Sequence, residues 1–106
     1  MIAPGRIWWA TLDKRRPVLI VSSHDMCDLD VDQVQVVPLS RRLRNAPTHV
    51  RLTAEATGLD QDMAAVVSEG LTIRRAELTD DIGACEQDTY LKIRKGLSAV
   101  LDVLGD

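Results

Sequence analysis

Arg15-Arg16-Pro17-Val18-Leu19-Ile20-Val21-Ser22 sets two cations directly ahead of five apolar residues. So short and continuous an apolar run suits a buried strand. Pro17, with a fixed φ and no N–H, belongs at the start of such a strand and holds Arg16 in an extended conformation. Charge therefore stands at the lip of the core, on a stiff support. Upstream, Ile7-Trp8-Trp9-Ala10-Thr11-Leu12 is rich in aromatic and branched side chains and reads as a first strand. Only Asp13-Lys14-Arg15 separates the two, which predicts an antiparallel hairpin with Arg16 near its tip. Strand alternation turns Trp8 and Trp9 to opposite faces, one toward the core and the other toward a candidate interface.

Downstream, residues 23–32 are too polar and broken for a strand and read as a loop with a helical turn. Val34-Gln35-Val36-Val37-Pro38-Leu39 is a third strand, which Pro38 restricts to a sheet edge or to a strand end. Ser40 follows, then the basic loop Arg41-Arg42-Leu43-Arg44-Asn45-Ala46-Pro47. Thr48-His49-Val50-Arg51-Leu52 alternates as a half-buried fourth strand, with Val50 and Leu52 inward and His49 and Arg51 outward. Ala54 to Asp62 reads as a loop, Met63 to Val67 as a strand, and Ser68-Glu69-Gly70 as an interruption before Leu71-Thr72-Ile73. Arg74 to Leu78 resembles one helical turn, and Asp81 to Ala84 a last short strand. From Glu86 on, Tyr90, Ile93, Leu97, Val100, Leu101 and Leu104 recur at helical spacing, so an amphipathic helix closes the chain. Gly96 inside it costs about 1 kcal/mol relative to Ala, which points to close packing there. Several short strands and one terminal helix predict an α+β domain, either a small bent β barrel or a two-sheet arrangement.

A length of 106 residues suits one domain over 1–106, with a single core. There is no Phe, and Trp8, Trp9 and Tyr90 are the only aromatic residues, so the core must rest on Val, Leu, Ile and Ala. A formal charge of −3 excludes a protein that coats nucleic acid through bulk charge, but not one with a local basic patch. Such a patch is available in Lys14, Arg15, Arg16, Arg41, Arg42 and Arg44, flanking a segment that holds Asp25, Asp28, Asp30 and Asp32. Cys27 and Cys85 form no CxxC pair, and His24 and His49 lack carboxylates at ligand spacing, so no metal or other cofactor is expected. No apolar run approaches the ~20 residues a membrane helix needs. The expected location is the cytoplasm.

Four segments together resemble the MazF/PemK family of toxin endoribonucleases: Gly5-Arg6-Ile7-Trp8-Trp9, Arg16-Pro17-Val18-Leu19-Ile20-Val21-Ser22, Val36-Val37-Pro38-Leu39-Ser40, and Leu78 to Gly83 running into the helix. The Arg-Pro strand is the most specific of them. The resemblance implies an SH3-like barrel, a homodimer, and metal-independent cleavage of single-stranded RNA at a short sequence. It also implies a cognate MazE-like antitoxin that blocks the site. Arg16 matches the family's essential arginine and Ser40 its second catalytic residue; Lys14, Arg15, Arg41, Arg42 and Arg44 are the expected RNA contacts.

The chain departs from its relatives in three places. The loop after the first strand is only Asp13-Lys14-Arg15; Glu69-Gly70-Leu71-Thr72 stands where many relatives carry Gln-x-Arg-Thr; and Val66 and Ser68 replace an Arg and Asp pair. His24, His49 and Glu69 are the groups available for proton transfer, and none is assigned. The alternative reading is a gyrase-poisoning or catalytically inactive protein-binding toxin on the same fold, although the C-terminal Trp-Gly-Ile of the gyrase poisons has no counterpart in Leu104-Gly105-Asp106.

Overall fold

The computed structural model describes residues 1–28 and 32–105, and side chains as far as residue 100. Strand β1 spans Arg6–Thr11 and β2 Arg15–Ile20, joined antiparallel with Thr11 opposite Arg15 and Trp8 opposite Val18. The turn is only residues 12–14, closed by the Leu12 N–H donating to the Lys14 carbonyl at 3.2 Å. A short helix, α1 (His24–Asp28), leads to β3 (Gln33–Ser40). Then come β4 (His49–Leu52), α2 (Ala54–Thr57), β5 (Met63–Val66), a 3-10 turn over Val67–Glu69 and β6 (Leu71–Arg74). A second 3-10 turn, Arg75–Glu77, precedes β7 (Leu78–Ala84), and α3 (Gln87–Gly105) ends the chain.

The strands form one seven-stranded sheet in the order β4-β5-β3-β2-β1-β7, with β6 paired to β3 off that path. Among the described residues no pairing joins β4 to β7, so the expected barrel is left open there. Four consecutive residues of β2, Pro17 to Ile20, are buried because the strand is central and covered on both faces. On one face Ile7, Leu19, Val37 and Leu39 pack with Ile93 of α3. On the other, Val18, Ile20, Val34 and Val36 pack with Cys27, Ile73 and Leu78.

Pro38 takes neither of the two positions expected of it: it lies inside β3, two residues before the strand ends. β3 is central rather than an edge, but it changes partners at this residue: β6 pairs as far as Val36 and β5 begins at Leu39. The missing N–H thus falls where no ladder needs it.

Residues 54–62, read from sequence as loop, contain α2. Thr53 caps it, its Oγ1 accepting from the Ala56 N–H at 3.2 Å, and Gly58 ends it in the left-handed region at φ +83°. The last strand begins at Leu78 rather than Asp81, and its pairing with β1 shifts register twice, which breaks the local pattern. Gly96 does pack closely: a Cβ on it would lie 3.2 Å from Val67 Cγ2. The expected apolar positions Leu101 and Leu104 lie outside the described side chains, and Asp30 outside the described residues.

Candidate active site

Arg16 stands half-buried on β2, one residue before Pro17 and opposite Ala10 of β1. By alternation it shares a face with Val18 and Ile20. The β2–β3 register runs as far as Val18 opposite Pro38; Arg16 and Ser40 each lie two residues beyond that last pair, at the same end of the two strands, where β3 turns to β5. Ser40 is paired in turn with Ala64 of β5, and Ala64 with Arg51 of β4. Directly opposed residues point to the same face of a sheet. Ser40, Ala64 and Arg51 therefore form one row across three strands, and Arg16 stands on the neighbouring strand β2, just past the last β2–β3 pair.

Ser40 is the last residue of β3, and its Oγ accepts from the Arg42 N–H at 3.1 Å. That turn ends the strand and launches the loop carrying Arg41, Arg42 and Arg44. The hydroxyl uses a lone pair there and keeps its proton to donate elsewhere. Arg41, Arg42, Arg44, Arg51 and Lys14 are exposed. Among the described residues, no side-chain hydrogen bond or ion pair holds any of them, nor Arg16.

Arg15 is placed differently. Alternation turns it to the face of Trp9 and Pro17, away from Arg16 and Ser40. Its Nη2 lies 2.7 Å from Asp80 Oδ2, and its guanidinium carbon 4.7 Å from the centroid of the Trp9 ring. The run Lys14-Arg15-Arg16 is thus divided between two faces. Arg15 is also what covers Trp9, while Trp8 packs beside the second core and donates its indole N–H to the Met1 carbonyl at 3.0 Å.

The groups considered for proton transfer separate in the same way. His24 belongs to α1 and Glu69 to the 3-10 turn, both exposed and outside the row. His49 shares the face of Arg51 on β4, with Nδ1 2.9 Å from Thr48 Oγ1. Burial pushes the Cys85 thiol up to about 11 and raises that of Cys27; neither is a ready nucleophile near neutral pH. Among the described residues, no group of three or more His, Cys, Asp or Glu is arranged to hold a metal ion. Arg51 has no role legible in the sequence beyond its outward face, since alternation locates a face but not the strand that lies across it.

The sequence pattern described as the PemK-like, MazF-like toxin of type II toxin–antitoxin systems matches residues 3–101. Endoribonuclease MazF6 of Mycobacterium tuberculosis is 29% identical over 113 residues, a match that covers 97% of this chain and 99% of that protein. Among solved structures, the Mycobacterium tuberculosis toxin MazF-mt6 aligns with a TM-score of 0.82 at 27% identity, covering 92% of this chain and 96% of that one. A mycobacterial endoribonuclease in complex with its cognate antitoxin shares the fold, with a TM-score of 0.82 at 24% identity over 95% of each chain.

Proposed function

The chain belongs to the PemK-like, MazF-like toxin family of type II toxin–antitoxin systems, and we infer that it is the endoribonuclease of such a pair. Its substrate is single-stranded RNA, cut at preferred sequences without a metal ion. The observation that supports this reading is that Arg16 and Ser40 both lie just beyond the Val18–Pro38 pair, at the same end of adjacent strands and at the border of a basic loop.

In the cleavage the 2′-oxygen forms a bond to the adjacent phosphorus, the bond to the 5′-oxygen breaks, and the 2′-hydroxyl proton is ultimately balanced by one gained at the leaving oxygen. The crowded phosphate carries extra negative charge midway. A guanidinium supplies a planar fork for two of its oxygens, whereas its pKa above ~12 makes it a poor base. Arg16 therefore acts as the clamp. Ser40, at the same end of the neighbouring strand, has a proton to donate, so it hydrogen-bonds and orients a phosphate or reacting oxygen. Arg41, Arg42, Arg44 and Lys14 guide the backbone of the strand toward the row. Arg15 adds charge at the rim, reduced by its pairing with Asp80.

An antitoxin partner follows from the family's place in toxin–antitoxin pairs. The working form is a cytoplasmic homodimer, supported by the apolar groove that Pro47, Val50 and Val67 make with Gly96, Ala99 and Val100 of α3. A toxin that only binds a protein is not favoured, because relatives that match nearly the whole chain are endoribonucleases by name.

Purified protein with an end-labelled, unstructured RNA in EDTA tests the reading. Cleavage to fragments with 2′,3′-cyclic phosphate and 5′-hydroxyl ends is expected. Intact RNA, or cleavage only after magnesium is restored, overturns it.

A further inference from the structure

Beyond Ser40 the row runs into a pocket of about 280 Å³ lined by Leu43, Arg44, Asn45, His49, Arg51 and Ala64. Two guanidinium groups line it and no carboxylate does. Ala64 lies between Ser40 and Arg51 in the row and is 2% exposed. A small side chain at that crossing leaves open the path from the clamp to the pocket. On its other side Arg51 borders a depression with Glu55 and Glu86, but among the described residues it forms an ion pair with neither.

Two cations brought to one concave surface without a counter-charge repel each other, and an anion relieves that repulsion. The anion that an RNA strand passing Arg16 and Ser40 presents is its next phosphate. We propose that this pocket is a second nucleotide subsite, in which Arg51 and Arg44 hold a phosphate flanking the one that is cut. The proposal rests on the endoribonuclease reading and gives a role to Arg51, which the sequence by itself leaves unassigned.

The row also decides what Arg51 does. Two strand spacings of about 4.8 Å lie between it and Ser40, roughly 10 Å at the backbone, and Arg16 is on the strand beyond. Arg51 is therefore a binding residue rather than a partner of the clamp on the reacting phosphorus. Contacts to an unreacting phosphate are equal in the ground and transition states, so they lower KM and leave kcat alone. A phosphate also accepts a point charge, so lysine serves here where it would fail at Arg16.

The test compares wild type, Arg51→Ala, Arg51→Lys and Arg44→Ala, each confirmed folded by circular dichroism. RNA binding is followed by fluorescence anisotropy across a salt series and cleavage by single turnover, both in EDTA. Arg51→Ala should weaken binding severalfold and make the log–log salt slope shallower by about 0.7, the value for one lost phosphate contact on a single strand. Its rate at saturating RNA should stay within about twofold of wild type. Arg51→Lys should keep the slope, and Arg44→Ala should behave as Arg51→Ala. An unchanged slope and affinity in Arg51→Ala, or a fall in saturated rate with affinity intact, overturns the subsite. Failure of the endoribonuclease reading looks different: wild type binds RNA with the expected slope change on Arg51→Ala but cleaves nothing.

Discussion

At the scale of single residues, the roles proposed for Arg16 and Ser40 ask for different chemistry. A clamp needs the fork and not only the charge, so Arg16→Lys should fold and bind RNA nearly as wild type while losing on the order of 10²-fold in single-turnover rate, the loss typical of one transition-state donor. A near wild-type rate would reduce Arg16 to a strand-end cation. For Ser40 the hydroxyl is the functional part: Ser40→Thr should retain most of the activity and Ser40→Ala fall well below it, measured on the same RNA. Equal rates in the two variants would remove Ser40 from the chemistry. Asp81 belongs to stability instead. Burial, the largest influence, raises its carboxyl, but hydrogen bonds from Arg6 at 2.6 Å and from the Met1 ammonium at 3.1 Å outweigh it, and the net direction is down. A folded-state pKa below the unfolded one contributes stability that is complete above about pH 4, the ordinary carboxylate range, and is lost as the pH falls through the folded value. Thermal melts at pH 7 and pH 3 should therefore differ more for wild type than for Asp81→Asn.

At the scale of elements, the short helix α2 packs against β7 at one edge of the sheet. α2 exists because Thr53 caps it and Asp62 Oδ1 accepts from the Ala54 N–H at 2.8 Å. Thr53→Ala should cost about 1 kcal/mol, read from the urea midpoint. The same helix meets β7 at Gly83, where any Cβ would be driven into the Thr57 carbonyl oxygen. That obstacle is backbone and cannot rotate away, so Gly83→Ala should cost more, about 1–3 kcal/mol by overpacking. Equal midpoints for wild type and Gly83→Ala would mean that α2 shifts freely off the strand. β2 is the opposite kind of element. Its continuous apolar run is legible without any partner, because a central strand buried on both faces needs no alternation.

At the scale of the molecule, a net charge of −3 coexists with local basic stretches: Lys14 and Arg16 at the start of β2, the Arg41 to Arg44 loop after β3, and Arg51 on β4. The proposed homodimer draws no support from a spare indole, since Arg15 covers Trp9 and the second core takes Trp8. What remains uncovered is the small-residue stretch of α3 at Gly96 and Ala99 beside Pro47 and Val50. Light scattering at micromolar concentration should give twice the mass of one chain, and Ala99→Glu should shift it toward the single-chain mass. A wild-type chain of single mass would remove the dimer.

The sequence by itself determined the elements whose signal is local. The hairpin, the buried Arg-Pro strand and the closing helix follow from apolar period, proline geometry and loop length, and Arg16 and Ser40 are singled out by the family resemblance that such segments carry. The tertiary structure alone decided which residues meet. Alternation gives each strand two faces but says nothing of its neighbour or its register, and these depend on packing between segments far apart in the chain. Hence the separation of Arg15 from Arg16, the row through Ser40 and Ala64 to Arg51, and the partner change that accommodates Pro38 appear only in the folded sheet. α2 was hidden for a related reason: four residues carry too little periodicity, and their stability comes from a cap and a tertiary contact at Gly83 rather than from helix propensity.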